Sequence, residues 1–464
     1  MGTLDKPTPD EDFPNIIVLV LDSVRGDRFT KQDNFNLTTP VLNMLAEKGT
    51  FFENAYSNGS WTIPAHGSLF TGKLPSEHGA HAKHKYFDAS PETTLAGKLS
   101  SIGYNTVGFS TNPWIADEFG FTTGFEQFYE LRSSLPFPEV ESDPRDELGD
   151  PSTLEMFQWL FSGNPFKRAV NGISARYFQQ LPYAPADRMT DKILDWSTSS
   201  PEEPFFLFAN YMDAHEPYLI REDYIGGDKN IPESILDFEW NLHCYNNGPK
   251  TEDYNEIRSI YDSSISYLDY NLKPLFNEIN LNNSLLVILG DHGQALGENN
   301  YWGHGTHLSE SLVHVPMIIC PPTNGRTLSF DSSDTVSLRE IPNMIFSCLG
   351  LEQGRSSPDS WRAKDLVVAE SFGPHQEVDE LPNSISTSGY RMILGESISM
   401  LHDLDSSNRR FFFKSTKNVN NKLERDDLIN YENKLIENIL DKTFDDNVNI
   451  AKETKNRLDD LGYI

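Results

Sequence analysis

Several stretches of this chain are apolar without alternation. Asn15 to Leu21 reads Asn-Ile-Ile-Val-Leu-Val-Leu, Phe205 to Tyr211 reads Phe-Phe-Leu-Phe-Ala-Asn-Tyr, and Leu285 to Leu289 reads Leu-Leu-Val-Ile-Leu. Runs this short, rich in β-branched and aromatic residues, predict strands covered on both faces, as in a parallel sheet between helices. Thr50 to Tyr56, Thr106 to Phe109 and Val315 to Cys320 add further strands. Elsewhere the period lengthens. Ile257, Ile260, Tyr261, Ile265, Leu268, Leu272 and Leu275 recur at helical spacing within Tyr254 to Phe276, which predicts a long amphipathic helix. Shorter helices are expected at Thr39 to Glu47, Leu95 to Ser101, Asp187 to Ser197 and Ser337 to Leu349, the last with Pro342 near its start. The fold class is therefore α/β.

The pattern changes after about residue 350. Leu366 to Glu370, Tyr390 to Leu394 and Arg410 to Phe413 read as short antiparallel strands, and Asp426 onward reads as helix. The expected organisation is a loose tail over 1–14, a main unit over 15–350, and a smaller α+β subdomain over 351–464. Ser133 to Pro151, rich in Pro, Glu and Asp, reads as a surface insertion, and 219–250 as a loop on the substrate side.

Polar chemistry stands directly after the buried runs. The first ends in Asp22-Ser23-Val24-Arg25, the second in Met212-Asp213-Ala214-His215-Glu216, the third in Gly290-Asp291-His292-Gly293. In α/β sheets ligands collect at the carboxyl ends of strands. A fourth stretch, Gly59 to Gly72, reads as a loop entering a helix. Thr62 stands at the N-cap, Pro64 lies in the first turn, and Gly72 permits a left-handed stop. A hydroxyl at a helix N-terminus faces unpaired N–H groups and suits an anionic tetrahedral group. Taken singly, each feature has a plain structural reading: Asp22 as a turn cap, His215 and His304 as core histidines, Thr62 as a capped helix. Their recurrence at three strand ends is what those plain readings explain poorly. Two carboxylates, an imidazole and a hydroxyl together suit a divalent cation, with Ca, Mg, Mn and Zn all open. A hydroxyl beside such an ion loses its proton more readily. Asp213, His215, His304 and His307 leave room for a second ion.

Acidic residues outnumber basic ones, 69 to 38, for a net charge of −31. Such a surface repels nucleic acid and anionic membranes, so neither is an expected partner. It suits a high-salt cytoplasm, where screening removes self-repulsion. Cys244, Cys320 and Cys348 form no Cys-x-x-Cys pair and no disulfide framework. The opening residues carry no apolar signal segment, and no apolar run approaches a membrane span, so the expectation is a cytoplasmic, halophilic protein.

Pro64-Ala-His-Gly-Ser-Leu-Phe-Thr-Gly72 together with Asp291-His-Gly293 forms a specific combination. With Asn15 to Asp27, Gly103 to Phe125, Asp213 to Tyr218, Tyr261 to Asp269, Gly290 to Pro316 and the tail Arg457 to Tyr463, it resembles the sulfatase family of the alkaline phosphatase superfamily, especially its acidic haloarchaeal branch. The resemblance implies a large mixed, mostly parallel sheet sandwiched by helices, with a small C-terminal α+β subdomain. It implies a divalent metal at Asp22, Asp291 and His292, a nucleophile at Thr62, and pocket roles for His215 and His304. The departures are specific. The family's Cys/Ser-x-Pro-x-Arg run is Thr62-Ile-Pro-Ala-His66, so formylglycine cannot form, and His66 stands in for arginine as a weaker, pH-dependent support. The family's Asp-Asp pair is Asp22-Ser23. Its Gly-Lys-x-His stretch is Gly108-Phe-Ser-Thr111, with Asn112 as a neutral substitute. The implied function is a metal-dependent hydrolase cleaving small-molecule or glycan sulfate or phosphate esters through Thr62. The alternatives are a phosphodiesterase or phosphotransferase of the same superfamily, or a catalytically silent binder of anionic glycans.

Overall fold

The structure, a computed structural model, describes residues 13–29, 39–131, 183–199, 203–218, 224, 254–298, 301–323, 330–351, 366–375, 386–395, 398–406, 408–413, 425–438 and 458. The insertion expected at 133–151, the loop expected at 219–250 apart from Tyr224, Cys244 and most of the 457–463 tail lie outside them.

The strands are β1 (Asn15–Leu21), β2 (Thr50–Phe51), β3 (Asn54–Tyr56), β4 (Asn105–Ser110), β5 (Gln127–Glu130), β6 (Phe205–Tyr211), β7 (Ser284–Gly290), β8 (Ala295–Leu296), β9 (Trp302–Gly303), β10 (Met317–Cys320), β11 (Thr335–Ser337), β12 (Leu366–Ser371), β13 (Tyr390–Gly395), β14 (Ile398–Asp403) and β15 (Arg409–Phe413). The helices are α1 (Pro40–Lys48), α2 (Thr62–Thr71), α3 (Pro75–His78), α4 (Leu95–Ser101), α5 (Ala186–Thr198), α6 (Tyr254–Glu278), α7 (Glu310–Val313), α8 (Ile341–Cys348) and α9 (Arg425–Asn438).

The central sheet has the order β2-β10-β7-β1-β6-β4-β5. From β7 to β5 all neighbours are parallel, and β10 runs antiparallel to both β7 and β2. Strand β1 is buried at every residue because sheet neighbours flank it and helices cover both faces. Its even-numbered side chains, Ile16, Val18 and Val20, join the core under α2, α4 and α8. Its odd-numbered ones, Ile17, Leu19 and Leu21, join the core under α1, α5 and α6. This doubly covered sheet is the α/β fold that the unalternating runs predict.

Two expected elements divide. Thr50 to Tyr56 is not one strand: β2 extends the central sheet, whereas β3 pairs with β11. Phe52, buried between them, donates its N–H to Met317 O, and Glu53 donates to Ser332 O, so the chain changes partners there. Ser337 to Leu349 is likewise not one helix. Ser337 ends β11, Leu338–Glu340 is a 3-10 turn, and α8 starts at Ile341 with Pro342 in its first turn. A proline there lacks only an N–H that has no intrahelical acceptor.

Beyond residue 351, β12 to β15 form a four-stranded antiparallel sheet. Val367 and Ala369 face the main body, beside Tyr56, Leu308, Leu312 and Val313. Val368 faces the other way, with Leu428 of α9. One buried charge network ties this sheet together. Arg391 Nε donates to Glu370 Oε1 at 2.8 Å, and Glu432 accepts from Arg409 Nε at 2.9 Å and lies 3.7 Å from Arg391 Nη1. Glu370 also accepts from Ser76 N, at the start of α3. Both carboxylates are fully buried, and removing Arg391 leaves Glu370 without its cation, while Glu432 keeps Arg409. Arg391→Met should lower unfolding stability by about 3 kcal/mol, read from urea melts at pH 7.

Candidate active site

Strand register fixes the centre of the site. Leu21 pairs with both Tyr211 and Gly290. The next residues, Asp22 and Asp291, therefore leave adjacent parallel strands at the same level. Side chains alternate along a strand, and the sequence of faces continues past the strand ends. Val20 and Leu289 point toward α2, so Asp22 and Asp291 do too. Asn210, opposite Val20 on β6, falls on the same face, and Asn112, two residues beyond Ser110 of β4, completes the row.

Asp22 is wholly buried and well supplied with donors: Asn112 Nδ2 at 2.7 Å, Ser23 Oγ at 3.0 Å and Asn210 Nδ2 at 3.2 Å. Asp291 Oδ1 accepts from Ser23 N at 3.1 Å and His292 N at 2.8 Å. Among the described residues Asp291 Oδ2 has no hydrogen-bond partner, and neither has His292 Nε2, 3.5 Å away. His292 Nδ1 is held by Gly293 O at 2.9 Å, so the ring's lone pair is on Nε2, which faces both carboxylates. Gly293 is needed here, because a Cβ would lie 2.0 Å from Ser311 O. Burial raises the Asp22 carboxyl, but the imidazoles of His215 and His292 and the Asn112 amide outweigh it and hold it below its ordinary value. Burial, then the charge of Asp22, pushes Asp291 well above its ordinary value. Burial holds His292 down at about 4, hence neutral. One donor atom from each of Asp22, Asp291 and His292 lies within 4.8 Å of the others. Two orphaned, enclosed donor atoms and a surplus of negative charge fit a divalent cation.

Thr62 opens α2 but does not cap it. The N-cap is Trp61, and Thr62 is the first helical residue. Its hydroxyl instead accepts from Asn112 Nδ2 at 3.1 Å, the nitrogen that also donates to Asp22. Asn112 Oδ1 accepts from Trp114 N at 2.8 Å, which fixes which end of the amide faces Thr62. Gly72 stops the helix in the left-handed conformation, φ 73°. His66 lies one turn further along the same helix. Its Nδ1 bonds to the Thr62 carbonyl at 3.0 Å, one helical turn back, rather than to the hydroxyl. Burial lowers it to about 4, so it is neutral and carries no pH-dependent charge near neutrality.

A second buried group stands alongside: His215, Glu216 and His304. The ribbon of β8 and β9 pairs Ala295 with Gly303, so Gln294 and His304 are the next facing pair. His304 Nδ1 lies 2.8 Å from Gln294 Oε1, and Gln294 Nε2 donates to Glu216 Oε2 at 2.5 Å. The rings of His292 and His304 are 4.5 Å apart, so the two groups share a wall. Asp213 and His307 stand elsewhere. Asp213 Oδ1 accepts from Ala186 N at the start of α5. His307 stacks on Tyr301 at 4.0 Å. Asn210, Glu216 and Gln294 also belong to this centre, beyond the residues expected from the sequence. Asn210 carried a signal: a lone amide in an apolar run, in phase with Asp22.

Residues 14–351 match the sequence model described as Sulfatase. The chain belongs to the sulfatase family. It is a sulfatase-family hydrolase with the family's α/β fold. Among relatives, it is 23% identical over 342 residues to an arylsulfatase of Clostridium perfringens, covering 67% of this chain and 69% of that one. It is 24% identical over 406 residues to human iduronate 2-sulfatase, covering 77% and 68%. Among solved structures, a phosphonate monoester hydrolase of Silicibacter pomeroyi superposes with a TM-score of 0.60 at 16% identity, covering 91% of this chain and 94% of that one. Among the described residues no helix is long and apolar enough to cross a membrane.

The neutral state of His66 sets a pH test in chelator-treated protein. Its folded value of about 4 lies below the ordinary 6.5, so between those pH values the unfolded chain binds more protons. The stabilisation from His66 is thus present above pH 6.5 and lost as pH falls toward 4. The stability deficit of His66→Gln should shrink by about 2 kcal/mol between pH 7 and pH 5, measured by urea melts of both proteins.

Proposed function

We propose that this chain is a metal-dependent hydrolase of sulfate or phosphate esters with Thr62 as nucleophile. One observation carries the reading. Thr62 Oγ1 and Asp22 Oδ2 share one donor, Asn112 Nδ2, beside a carboxylate and an imidazole whose inward atoms are buried and unpartnered. The family membership and the activities of the relatives support the ester chemistry.

A divalent cation held by Asp22, Asp291 and His292 would supply Lewis acidity toward an ester oxygen and offset charge as the bond breaks. The chain's own groups do the rest. Asn112 positions the Thr62 hydroxyl and donates to it as negative charge grows there. Thr62 Oγ, giving up its proton, forms a bond to sulfur or phosphorus, and the ester's bridging oxygen leaves and takes that proton up. His215 and His304, with ring centroids 4.9 Å apart, border this space and return a proton to the departing alcohol. Water then attacks the Thr62 ester, and Thr62 Oγ leaves with a proton. Substrates are small-molecule or glycan esters.

Assays use aryl sulfate, aryl phosphate and aryl phosphonate monoesters. Thr62→Ala should lower kcat at least about a thousandfold while Thr62→Ser retains activity. Activity surviving in Thr62→Ala sinks the nucleophile assignment. Asn112→Ala should cost on the order of a hundredfold in kcat with a smaller change in KM, because its donor matters most as charge develops. Chelation should abolish turnover, and a divalent cation should restore it.

A further inference from the structure

Between Asn54 and Phe87 the chain has a single acidic residue, Glu77, although it carries 69 acidic residues in all. The Glu77 carboxylate is engaged locally, accepting from Leu74 N at 2.7 Å. The same stretch contains His81-Ala82-Lys83-His84-Lys85. In a chain of net charge −31, this loop reverses the sign of the local field.

The loop has a defined shape. His81 and His84 exchange backbone N–H···O bonds, both 2.9 Å, so Ala82 and Lys83 form its tip. Burial, then the charges of His84 and Lys83, hold the His81 ring at about 4, hence neutral. Two contacts place the loop at the edge of the site. On one side His81 lies 4.5 Å from the Phe372 ring, and a Cβ on Gly373 would stand 3.9 Å from Lys83 Cε. That segment continues to His375, which meets His304 and Trp61. On the other side Lys85 Nζ sits over the Trp114 ring at 5.3 Å, and Trp114 meets Trp61 at 5.8 Å. The loop therefore spans both segments that touch the residue before Thr62. Lys83 is exposed at the tip, whereas Trp61, Trp114 and His375 are buried.

We propose that Lys83 and Lys85 form a subsite for a second anionic group of the substrate, a sulfate, phosphate or carboxylate on the sugar next to the one whose ester Thr62 attacks. The two ring steps from Lys85 to Trp61 are together on the scale of a disaccharide. An ammonium group binds such an oxyanion as a point charge, without a fixed fork geometry. The face of Trp114 holds the Lys85 cation in place. The substrate class is then a multiply charged oligosaccharide ester. The inference rests on the ester-cleaving reading above, but its test measures binding without turnover.

Thr62→Ala protein, with Mn²⁺ present, is titrated calorimetrically with cellobiose monosulfate and with cellobiose disulfate bearing one sulfate on each ring. At low ionic strength the disulfate should bind about tenfold tighter, and salt should shrink that preference. Adding Lys83→Gln and Lys85→Gln should reduce the preference below about twofold, and Lys83→Gln alone should reduce it in part. A control carrying Lys48→Gln and Lys273→Gln removes the same charge from exposed positions on α1 and α6 and should keep the preference. Equal binding of the two sugars, binding of neither, a preference that survives the loop substitutions, or one that the control also abolishes would overturn the subsite. Turnover surviving in Thr62→Ala would instead sink the nucleophile assignment and leave the binding result standing.

Discussion

Two buried carboxylates at the ends of adjacent parallel strands are the constraint that the rest of this structure answers. Like charges brought together in a low-dielectric interior repel strongly. Nothing about β1 and β7 would avoid this, since their register sets Asp22 and Asp291 at one level and their alternation sets them on one face. The chain responds with donors. Ser23, left-handed at φ 62°, turns its N–H to Asp291 and its hydroxyl to Asp22. A non-glycine residue in that conformation costs on the order of 1 kcal/mol and persists only where its surroundings impose it. Here Tyr261 of α6 imposes it, donating its hydroxyl to Ser23 O at 2.7 Å and accepting from Arg25 N at 3.0 Å.

Among the described residues, the groups that meet these carboxylates are amides, hydroxyls, imidazoles and backbone N–H groups, with neither lysine nor arginine directly bonded to them. The nearby Arg25 pairs outward, with Asp27 and Glu298. A neutral donor shell can orient a carboxylate pair but cannot neutralise it. The missing positive charge, together with the orphaned Asp291 Oδ2 and His292 Nε2, defines the kind of ligand this centre suits. The same substitution of neutral for charged partners governs Thr62. Where the family pattern has an arginine, His66 is neutral and binds the backbone, and the hydroxyl is left to Asn112.

Much of the fold could be read from the chain because buried parallel strands announce themselves as unbroken apolar runs. β1 and β6 begin and end where those runs do. The Asp22 and Asp291 placement was legible for the same reason, since it needs only strand direction and a period of two. Thr62 was displaced by one residue, because Thr is a common N-cap and only tertiary contact shows its hydroxyl turned to Asn112. Glu216 and Gln294 were hidden by geometry of another kind. Glu216 acts through a turn rather than a strand, and the pairing of Gln294 with His304 depends on a ribbon only two residues deep on each side. β14 went unread because Ile398 to Asp403 begins apolar but ends in His402 and Asp403, a half-exposed end that resembles a turn.

The C-terminal sheet is also part of the site's mechanics, although its strands lie far from β1. After β12 the chain returns to the centre, where His375 stacks near His304 at 5.8 Å and meets Trp61 at 5.2 Å. Trp61 in turn meets Trp114 edge-on at 5.8 Å, and Trp114 N holds Asn112. Gly305 allows this closeness, since a Cβ there would lie 2.3 Å from His375 Nδ1. Ring contacts of this kind contribute about 0.5–1.5 kcal/mol each, enough to bias the position of the residue that caps α2. The residue before Thr62 is thus gripped between the Asn112 loop and a segment from beyond residue 366. The threonine hydroxyl, joined to Asp22 through Asn112, therefore follows a residue that the segment after β12 helps to hold. The buried Arg391 and Glu370 pair anchors that sheet to α3 from the same strand, β12, that leads to His375.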